Sequence, residues 1–222
     1  MFSISASELT AKVGYERVRA VVRRLRTNLF NKKGSGVSNQ YWHYRSDSLY
    51  FQYVDFLVRV VGRDAQSILD VGSHSCPYLE WFHWIPYKLS IDLHAPYHSR
   101  RVHGKKIDFL EYKNDREFDI CLSLQVLEHI QDAKSFAQKL LKVGHHVIVS
   151  VPYRWPAGAN STHVQDPIDE EKLITWFNRI PNYEIIVTEP ITEKRRLISY
   201  YYRDDPMKKL GLDELKTRLI RT

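Results

Sequence analysis

The chain has 222 residues, of which 43% are hydrophobic and 27% charged, and its formal net charge is +7 at pH 7. This length suits one α/β domain with a modest extension, and it allows a substantial core to be buried. No run approaches the ~18–20 apolar residues that span a bilayer, so we expect neither a membrane span nor a secretory signal. The two cysteines fall in or beside predicted core strands, which argues against a disulfide framework and favours the cytoplasm as the compartment.

The positive charge is concentrated at the amino terminus. Residues 1–45 carry nine Lys or Arg against two Glu, which accounts for the whole net charge. Ser5 and Glu8 have the spacing of a capping box. Apolar residues then recur at helical spacing opposite an arginine-rich face, at Val18, Val21, Val22, Leu25 and Leu29. We therefore predict a basic amphipathic helix and a connector over residues 1–36, followed by an α/β domain over residues 37–222.

The sequence alone leaves several roles for this helix. It could pack on the domain with solvated arginines, or form a homodimer or partner contact. It could also lie on an anionic membrane surface, as basic amphipathic helices do. Nucleic acid is the least favoured partner, because the remaining residues have balanced charge and lack the usual nucleic-acid motifs.

Four short apolar segments predict strands with a polar residue at or near each carboxyl end. They are QSILDVGS (66–73), KLSIDLH (88–94), KKIDFLEY (105–112) and FDICLSLQVLEHI (118–130). In an open parallel sheet, ligands bind outside the carboxyl ends of the strands. Asp92 follows Asp70 by 22 residues, close to the ~20 expected between a first strand and the acid that holds a ribose. The pattern predicts a nucleotide-like ligand.

The other segments complete an α/β plan. A helix is predicted over residues 48–61 and a fifth strand over residues 145–152. Asp166 is predicted to cap a further helix, with Pro167 at its first position, where a missing N–H costs little. Two β-rich runs at residues 183–188 and 197–202 predict a terminal antiparallel hairpin.

In order and content, these segments resemble the class I S-adenosylmethionine-dependent methyltransferases, most closely the small-molecule branch. That family's first strand reads roughly hLDhGxGxG, and residues 68–76 here read ILDVGSHSC. Asp70 and Gly72 match, whereas His74 and Cys76 stand where glycines are usual. The fourth segment matches the family pattern FD-hhhS-x-VLEHh, and the likeness extends over residues 48–203.

This resemblance implies a Rossmann-like, doubly wound, mostly parallel seven-stranded sheet with a C-terminal antiparallel hairpin and an N-terminal helical extension. It implies S-adenosylmethionine as cofactor and an oxygen or nitrogen of a small molecule or saccharide as methyl acceptor. In the implied cofactor site Asp92 holds the ribose hydroxyls, Asp108 and Phe109 the adenine, and Asp70 the ammonium. The full set of implied cofactor-binding residues is Asp70, Gly72, Ser73, His74, Asp92, Asp108, Phe109, Leu124 and Gln125.

His74 raises an alternative. A non-glycine residue held at φ > 0 costs about 1–2 kcal/mol, although His tolerates this region better than most residues. Pro77 also disfavours a helix that starts at Cys76, so we expect a remodelled loop. Either the altered loop still holds the cofactor, or the chain is a non-catalytic methyltransferase-like module that binds partners through its basic helix.

The polar loop over residues 153–163 is the expected place for acceptor recognition. His163 is a candidate general base because an imidazole titrates near neutrality, and His129 is a second candidate. A purely structural role is the alternative for both. The histidine spacing shows no metal signature, so no metal site is predicted. The amino-directed Asn/Asp-Pro-Pro-Tyr/Phe motif is absent at the fourth segment.

Overall fold

A computed structural model describes residue 42, residues 45–113 and residues 115–211. The predicted basic helix and its connector lie outside these residues. The domain boundary, the homodimer or partner contact and the membrane contact therefore stay predictions. In the described part of the chain, no helix is both long and apolar enough to cross a bilayer. Residues 48–222 group into one compact unit, whose described residues form the fold below.

A seven-stranded sheet forms the centre of this unit, in the order β3-β2-β1-β4-β5-β7-β6. The strands are β1 Ser67–Val71, β2 Tyr87–Asp92, β3 His103–Lys106, β4 Phe118–Leu124, β5 Gly144–Pro152, β6 Tyr183–Thr188 and β7 Arg195–Tyr202. Strands β1 to β5 pair in parallel, whereas β7 runs antiparallel to both β5 and β6. The predicted Rossmann-like sheet with a C-terminal antiparallel hairpin is confirmed.

Helices cover both faces of the sheet. They are α1 Leu49–Val61, α2 Ala133–Val143 and α3 Glu170–Phe177. Neighbouring strand residues point to opposite faces. Ile120 lies against the end of α1, where a Cβ on Gly62 would meet its Cδ1 at 2.1 Å. Cys121 belongs to the core that includes buried residues of α2 and α3. The doubly wound arrangement is thus present.

The connections near the start of the sheet are short. A 3-10 helix, Pro77–Trp81, joins β1 to β2. No α-helix lies between β2 and β4 in the described residues there. The proline at the start of the 3-10 helix agrees with the expected remodelling. Phe51 of α1 packs on Tyr78 and Trp81, with ring centroids 5.5 Å and 6.2 Å away. The 3-10 helix is therefore fixed by aromatic packing.

The predicted third strand was wrong in its bounds. Strand β3 ends at Lys106, and Asp108 begins a turn in which its Oδ1 accepts from Leu110 N over 2.8 Å. An aspartate favours such a turn because its side chain bonds the following backbone. All four residues of β3 are exposed, which suits a charged edge strand but hides the strand from an apolar pattern search.

The predicted cap of the helix after β5 was also wrong. Helix α3 begins at Glu170, and the Asp169 side chain caps it by accepting from Lys172 N over 3.1 Å. Asp166 accepts instead from Nδ1 of His163, over 2.6 Å. Both aspartates are good caps by residue type, so local propensity alone does not separate them.

Candidate active site at the strand tips

The loop after β1 approaches the segment after β4 very closely. Gly72 has φ +85, and a Cβ at this position would meet Cγ2 of Val126 at 2.4 Å. Only glycine combines that backbone conformation with so little space. Ser73 is buried, and its Oγ accepts from Ser90 Oγ over 2.7 Å and from Tyr97 N over 3.1 Å. The loop is therefore anchored to β2 and to the segment that follows β2.

His74 and Ser75 both adopt left-handed backbone conformations, with φ 44 and φ 60. The His74 side chain is exposed, while its backbone N–H donates to Oδ2 of Asp92 over 2.9 Å. Ser75 N donates to Ala95 O over 2.7 Å. The loop is thus rebuilt around residues that are not glycine, and its backbone faces the tip of β2.

Asp92 ends β2 and is 9% exposed. Burial alone would raise the pKa of its carboxyl, but hydrogen bonds from the backbone N–H groups of Ala95, His94 and His74 outweigh it and lower that pKa. The carboxylate is therefore ionised at neutral pH. A carboxylate offers about four acceptor positions, so about one is left for a ligand. Holding both ribose hydroxyls, as the resemblance implies, requires one of these backbone bonds to be shared or released.

Asp70 lies beneath this loop and is 1% exposed. The hydroxyl of Tyr78 donates to its Oδ1, whereas its Oδ2 is buried with no hydrogen-bond partner among the described residues. Burial raises the pKa of Asp70 to about 7, against the hydrogen bond from Tyr78 and with the help of the Asp92 charge. An unsatisfied buried carboxylate oxygen suits a cationic group or a bridging water.

The two residues expected at the adenine position lie in the turn after β3. Oδ1 of Asp108 is used within that turn. Phe109 is 3% exposed, and its ring packs on Phe136 of α2 with centroids 4.9 Å apart. Much of the Phe109 ring therefore belongs to the core.

The tip of β4 completes this edge of the sheet. Leu124 is buried, and Gln125 has φ 58. Gln125 N donates to Ser150 O over 2.8 Å, and its Nε2 donates to Ser150 Oγ over 3.2 Å. Because Val126 contacts Gly72, the β4 tip is a direct neighbour of the loop after β1.

The two candidate bases lie together although 34 residues separate them. Their ring centroids are 4.8 Å apart. Nδ1 of His129 bonds Thr162 O over 3.0 Å, and Nδ1 of His163 bonds Oδ2 of Asp166 over 2.6 Å. The His163 and Asp166 side chains are 4% and 1% exposed. Sequence analysis missed the role of Asp166, although a carboxylate three residues after a histidine was the available signal.

A group of aromatic and cationic residues lies beside these histidines. This aromatic–cation cluster consists of Tyr153, Trp155, Lys194, Arg195 and Arg196. The Arg195 guanidinium lies 4.5 Å from the Tyr153 ring centroid, and Lys194 Nζ and the Arg196 guanidinium lie 5.4 Å and 4.7 Å from that of Trp155. Trp155 stacks on His163 at 5.7 Å.

The position of this cluster follows from the strand pairing. Pro152 at the carboxyl end of β5 pairs with Arg196 near the start of β7. Since β7 runs antiparallel, its beginning lies at the same edge as the carboxyl ends of β1 and β4. Acceptor recognition was predicted in residues 153–163, but the cations were not, because they lie some 40 residues later, just before and at the start of β7.

Comparisons with known proteins give a fold but no sequence relative. No family model and no curated protein matches the chain. Among solved structures, N-methyltransferase NodS from Bradyrhizobium japonicum, in complex with S-adenosyl-L-homocysteine, is similar at 13% identity and a TM-score of 0.56. That likeness covers 73% of this chain and 92% of NodS.

Two further structures extend this result. The 1,6-didemethyltoxoflavin-N1-methyltransferase of Burkholderia thailandensis, with bound 1,6-didemethyltoxoflavin and S-adenosylhomocysteine, is 16% identical. It has a TM-score of 0.56, with coverage of 90% of this chain and 91% of that one. The [4+2]-cyclase SpnF is 14% identical, with a TM-score of 0.51 and coverage of 72% and 83%. A cyclase among these neighbours shows that the fold alone does not determine the reaction. The chain thus has the fold of the class I S-adenosylmethionine-dependent methyltransferases.

Proposed function

We propose that the chain transfers a methyl group from S-adenosylmethionine to an oxygen or nitrogen atom of a small molecule. The observation that carries this proposal is the ionised Asp92 at the tip of β2, joined to the rebuilt loop after β1. Strand order reverses at β1, which has β2 on one side and β4 on the other. In open α/β sheets the ligand crevice forms at such a point, outside the carboxyl ends of the strands.

The described residues fit the cofactor. Asp92 would accept from a ribose hydroxyl, and Gly72 would let the backbone approach the ligand closely. Oδ2 of Asp70, which has no hydrogen-bond partner in the described residues, would receive the cofactor's ammonium directly or through water. Gln125 would lie beside the methionine portion at the tip of β4. The bound cofactor would supply an electrophilic methyl group on a positively charged sulfur.

The acceptor in this proposal is a small molecule or saccharide that carries an anionic group. In the aromatic–cation cluster the half-buried Trp155 ring has exposed Lys194 and Arg195 nearby, whereas Tyr153 is buried and supports Arg195 from the core. Aromatic faces favour apolar ring surfaces, while guanidinium and ammonium groups favour carboxylate or phosphate. Methyl transfer depends mainly on alignment of acceptor, methyl group and sulfur, and the cluster would contribute by holding the acceptor beside the strand tips.

The test is methyl transfer to a matched acceptor panel. Purified protein is incubated with S-adenosylmethionine that is tritium-labelled in its methyl group, with sugar acids and sugar phosphates and with the corresponding neutral sugars. We expect label in anionic acceptors, and strongly reduced label with the Asp92→Ala variant when S-adenosylmethionine is subsaturating. An Asp64→Ala variant, altered at an exposed aspartate outside the strand tips, should retain transfer. Transfer to neutral sugars alone would contradict the acceptor assignment. Transfer that Asp92→Ala leaves unchanged would contradict the site.

A further inference from the structure

Three potential metal ligands converge beside the tip of β4. One ligand atom each from Glu128, His129 and His163 lies within 4.8 Å of the other two. Glu128 is 1% exposed, and His129 is exposed, so the group has a buried and an accessible side. The residues come from two segments, the 3-10 helix Leu127–His129 and the loop before α3. No metal signature was visible in the histidine spacing, because these segments are far apart along the chain.

Each imidazole is oriented by a hydrogen bond at its Nδ1 atom. The carbonyl oxygen of Thr162 can only accept, so His129 donates its Nδ1–H to it. The Asp166 carboxylate likewise receives Nδ1–H from His163. With Nδ1 engaged, Nε2 is the ring nitrogen through which each neutral imidazole would bind a metal ion. A carboxylate behind a ligating histidine is the usual outer partner in zinc sites, where it fixes the ring and makes it more basic.

The two segments are tied together by bonds that do not involve the three ligands' side chains. Val164 N donates to Glu128 O over 2.9 Å. Nε2 of Gln165 donates to Ile130 O over 2.8 Å and to Gln131 O over 3.0 Å. The backbone thus holds the ligands near one another before any ion arrives, and such pre-organisation is what a metal site requires.

We propose that Glu128, His129 and His163 bind one divalent transition-metal ion of the Zn²⁺ type, with Asp166 as the positioning residue for His163. Two histidines and a glutamate form a known three-ligand set for catalytic zinc, with the fourth position open. With bonds of about 2.0–2.1 Å, tetrahedral ligand atoms stand about 3.4 Å apart. No pair of ligand atoms here needs to close by more than about 1.4 Å, which is within the range of small side-chain rotations.

The ion would lie next to the proposed acceptor surface, because Trp155 stacks on His163. A coordinated acceptor hydroxyl would lose its proton more readily, since a bound divalent ion lowers the pKa of its oxygen ligand. This consequence rests on the proposed function, whereas ion binding itself does not. In this role the two histidines position and activate the acceptor through the ion, and the acceptor's proton would pass to solvent water.

The test is calorimetry with ZnCl₂ on full-length protein that has first been dialysed against EDTA. We expect one ion per chain at the site, and at least a tenfold loss of affinity in the His129→Ala and Glu128→Gln variants. Asp166→Asn should weaken binding by about tenfold to a hundredfold, as loss of an outer partner does. Substitution at His129 leaves the core intact because this side chain is exposed, and thermal melting in EDTA checks the fold of each variant.

A second histidine–carboxylate group provides the matched control. His145 contacts Asp204 at 2.6 Å and Glu117 at 3.1 Å. Because His145 is near the start of β5, it lies at the amino ends of the parallel strands, opposite the carboxyl ends where the proposed site is. The His145→Ala variant should keep the affinity of the wild type. Absence of zinc binding, or binding that is lost in His145→Ala and kept in His129→Ala, would overturn the proposal. Calorimetry with S-adenosylmethionine on the same samples tests cofactor binding separately, so that failure of the metal site can be told apart from failure of the proposed methyl transfer.

Discussion

The backbone N–H of His74 donates to Oδ2 of Asp92 over 2.9 Å and so joins the loop after β1 to the tip of β2. Since the donor is a backbone group, the identity of the side chain matters little for this contact. The imidazole itself is exposed. A histidine at a usual glycine position is therefore compatible with a working loop, and this observation favours the altered-loop outcome over the non-catalytic module.

A His74→Gly variant tests this explanation. Removing the side chain relieves about 1–2 kcal/mol of left-handed backbone strain, while the added freedom of the unfolded chain costs about 0.4–1 kcal/mol. We expect the free energy of unfolding to change by about 1 kcal/mol or less, and cofactor affinity to stay within about threefold. Urea denaturation and calorimetry measure the two quantities. A large loss of affinity would mean that the imidazole itself binds the ligand.

We expect Gly72→Ala to lower the stability of the fold much more than His74→Gly changes it. The new methyl group combines left-handed strain with a clash against Val126 at 2.4 Å, so we expect a loss of about 2–4 kcal/mol in stability. Gly158→Ala is the matched control, since Gly158 also has positive φ but no atom of the described residues lies within 4 Å of the added Cβ. It should lose only about 1–2 kcal/mol. Adding Val126→Ala to Gly72→Ala should recover the steric part alone, and equal losses in both glycine variants would refute the clash.

Much of the fold could be predicted from the sequence. The apolar runs at β1, β2, β4 and β5, and the β-rich runs of the terminal hairpin, all lie within or beside observed strands. Strands β1, β2, β4 and β5 are largely buried, so composition and position agree there. Strand β3 was misplaced because its residues, HGKK, are exposed and its pairing with β2 depends on neighbouring structure.

The candidate site was harder to predict from the sequence, because several of its residues are far apart along the chain. Asp70 and Gly72 lie at the end of β1 and Asp92 at the end of β2, and a parallel sheet brings these strand ends together. The meeting of His129 with His163 depends instead on how one loop folds over another. The cations at the start of β7 reach the same edge only through its antiparallel register with β5. No local sequence pattern predicts either of these two contacts.

The buried Asp70 predicts an unusual pH dependence of stability. Its pKa is raised to about 7 in the folded chain, above the ~3.9 of an exposed aspartate. Between these values the folded state binds more protons than the unfolded state, so stability falls as pH rises.

An Asp70→Asn variant isolates this effect. Wild type should lose up to about 1.4 kcal/mol per pH unit relative to the variant from about pH 5 to pH 7, with little further change above. Urea denaturation across this range measures the difference. The charged or titratable groups that influence Asp70 are Tyr78, Asp92 and Cys121. A pH-independent difference would show that Asp70 is ionised throughout.

The aromatic–cation cluster predicts a separation of acceptor binding from cofactor binding. Lys194→Ala and Arg195→Ala should each raise KM for an anionic acceptor severalfold, because each removes one partly exposed charge contact. The affinity for S-adenosylmethionine should not change. Arg100→Ala, which removes an exposed arginine after β2, is the control. Steady-state kinetics at low and high salt measure the effect. A change confined to cofactor affinity would show that the cluster does not bind the acceptor.

The central claim is that this strand-tip site binds S-adenosylmethionine through Asp92. Calorimetry with S-adenosylmethionine and S-adenosylhomocysteine on the wild type, Asp92→Asn and Asp92→Ala tests it most directly. We predict micromolar binding of both ligands by the wild type. Loss of hydrogen bonds to a charged acceptor, worth about 1.5–3 kcal/mol, should weaken binding about tenfold to a hundredfold in each variant. A folded wild type that binds neither ligand would contradict the account and would favour a non-catalytic module.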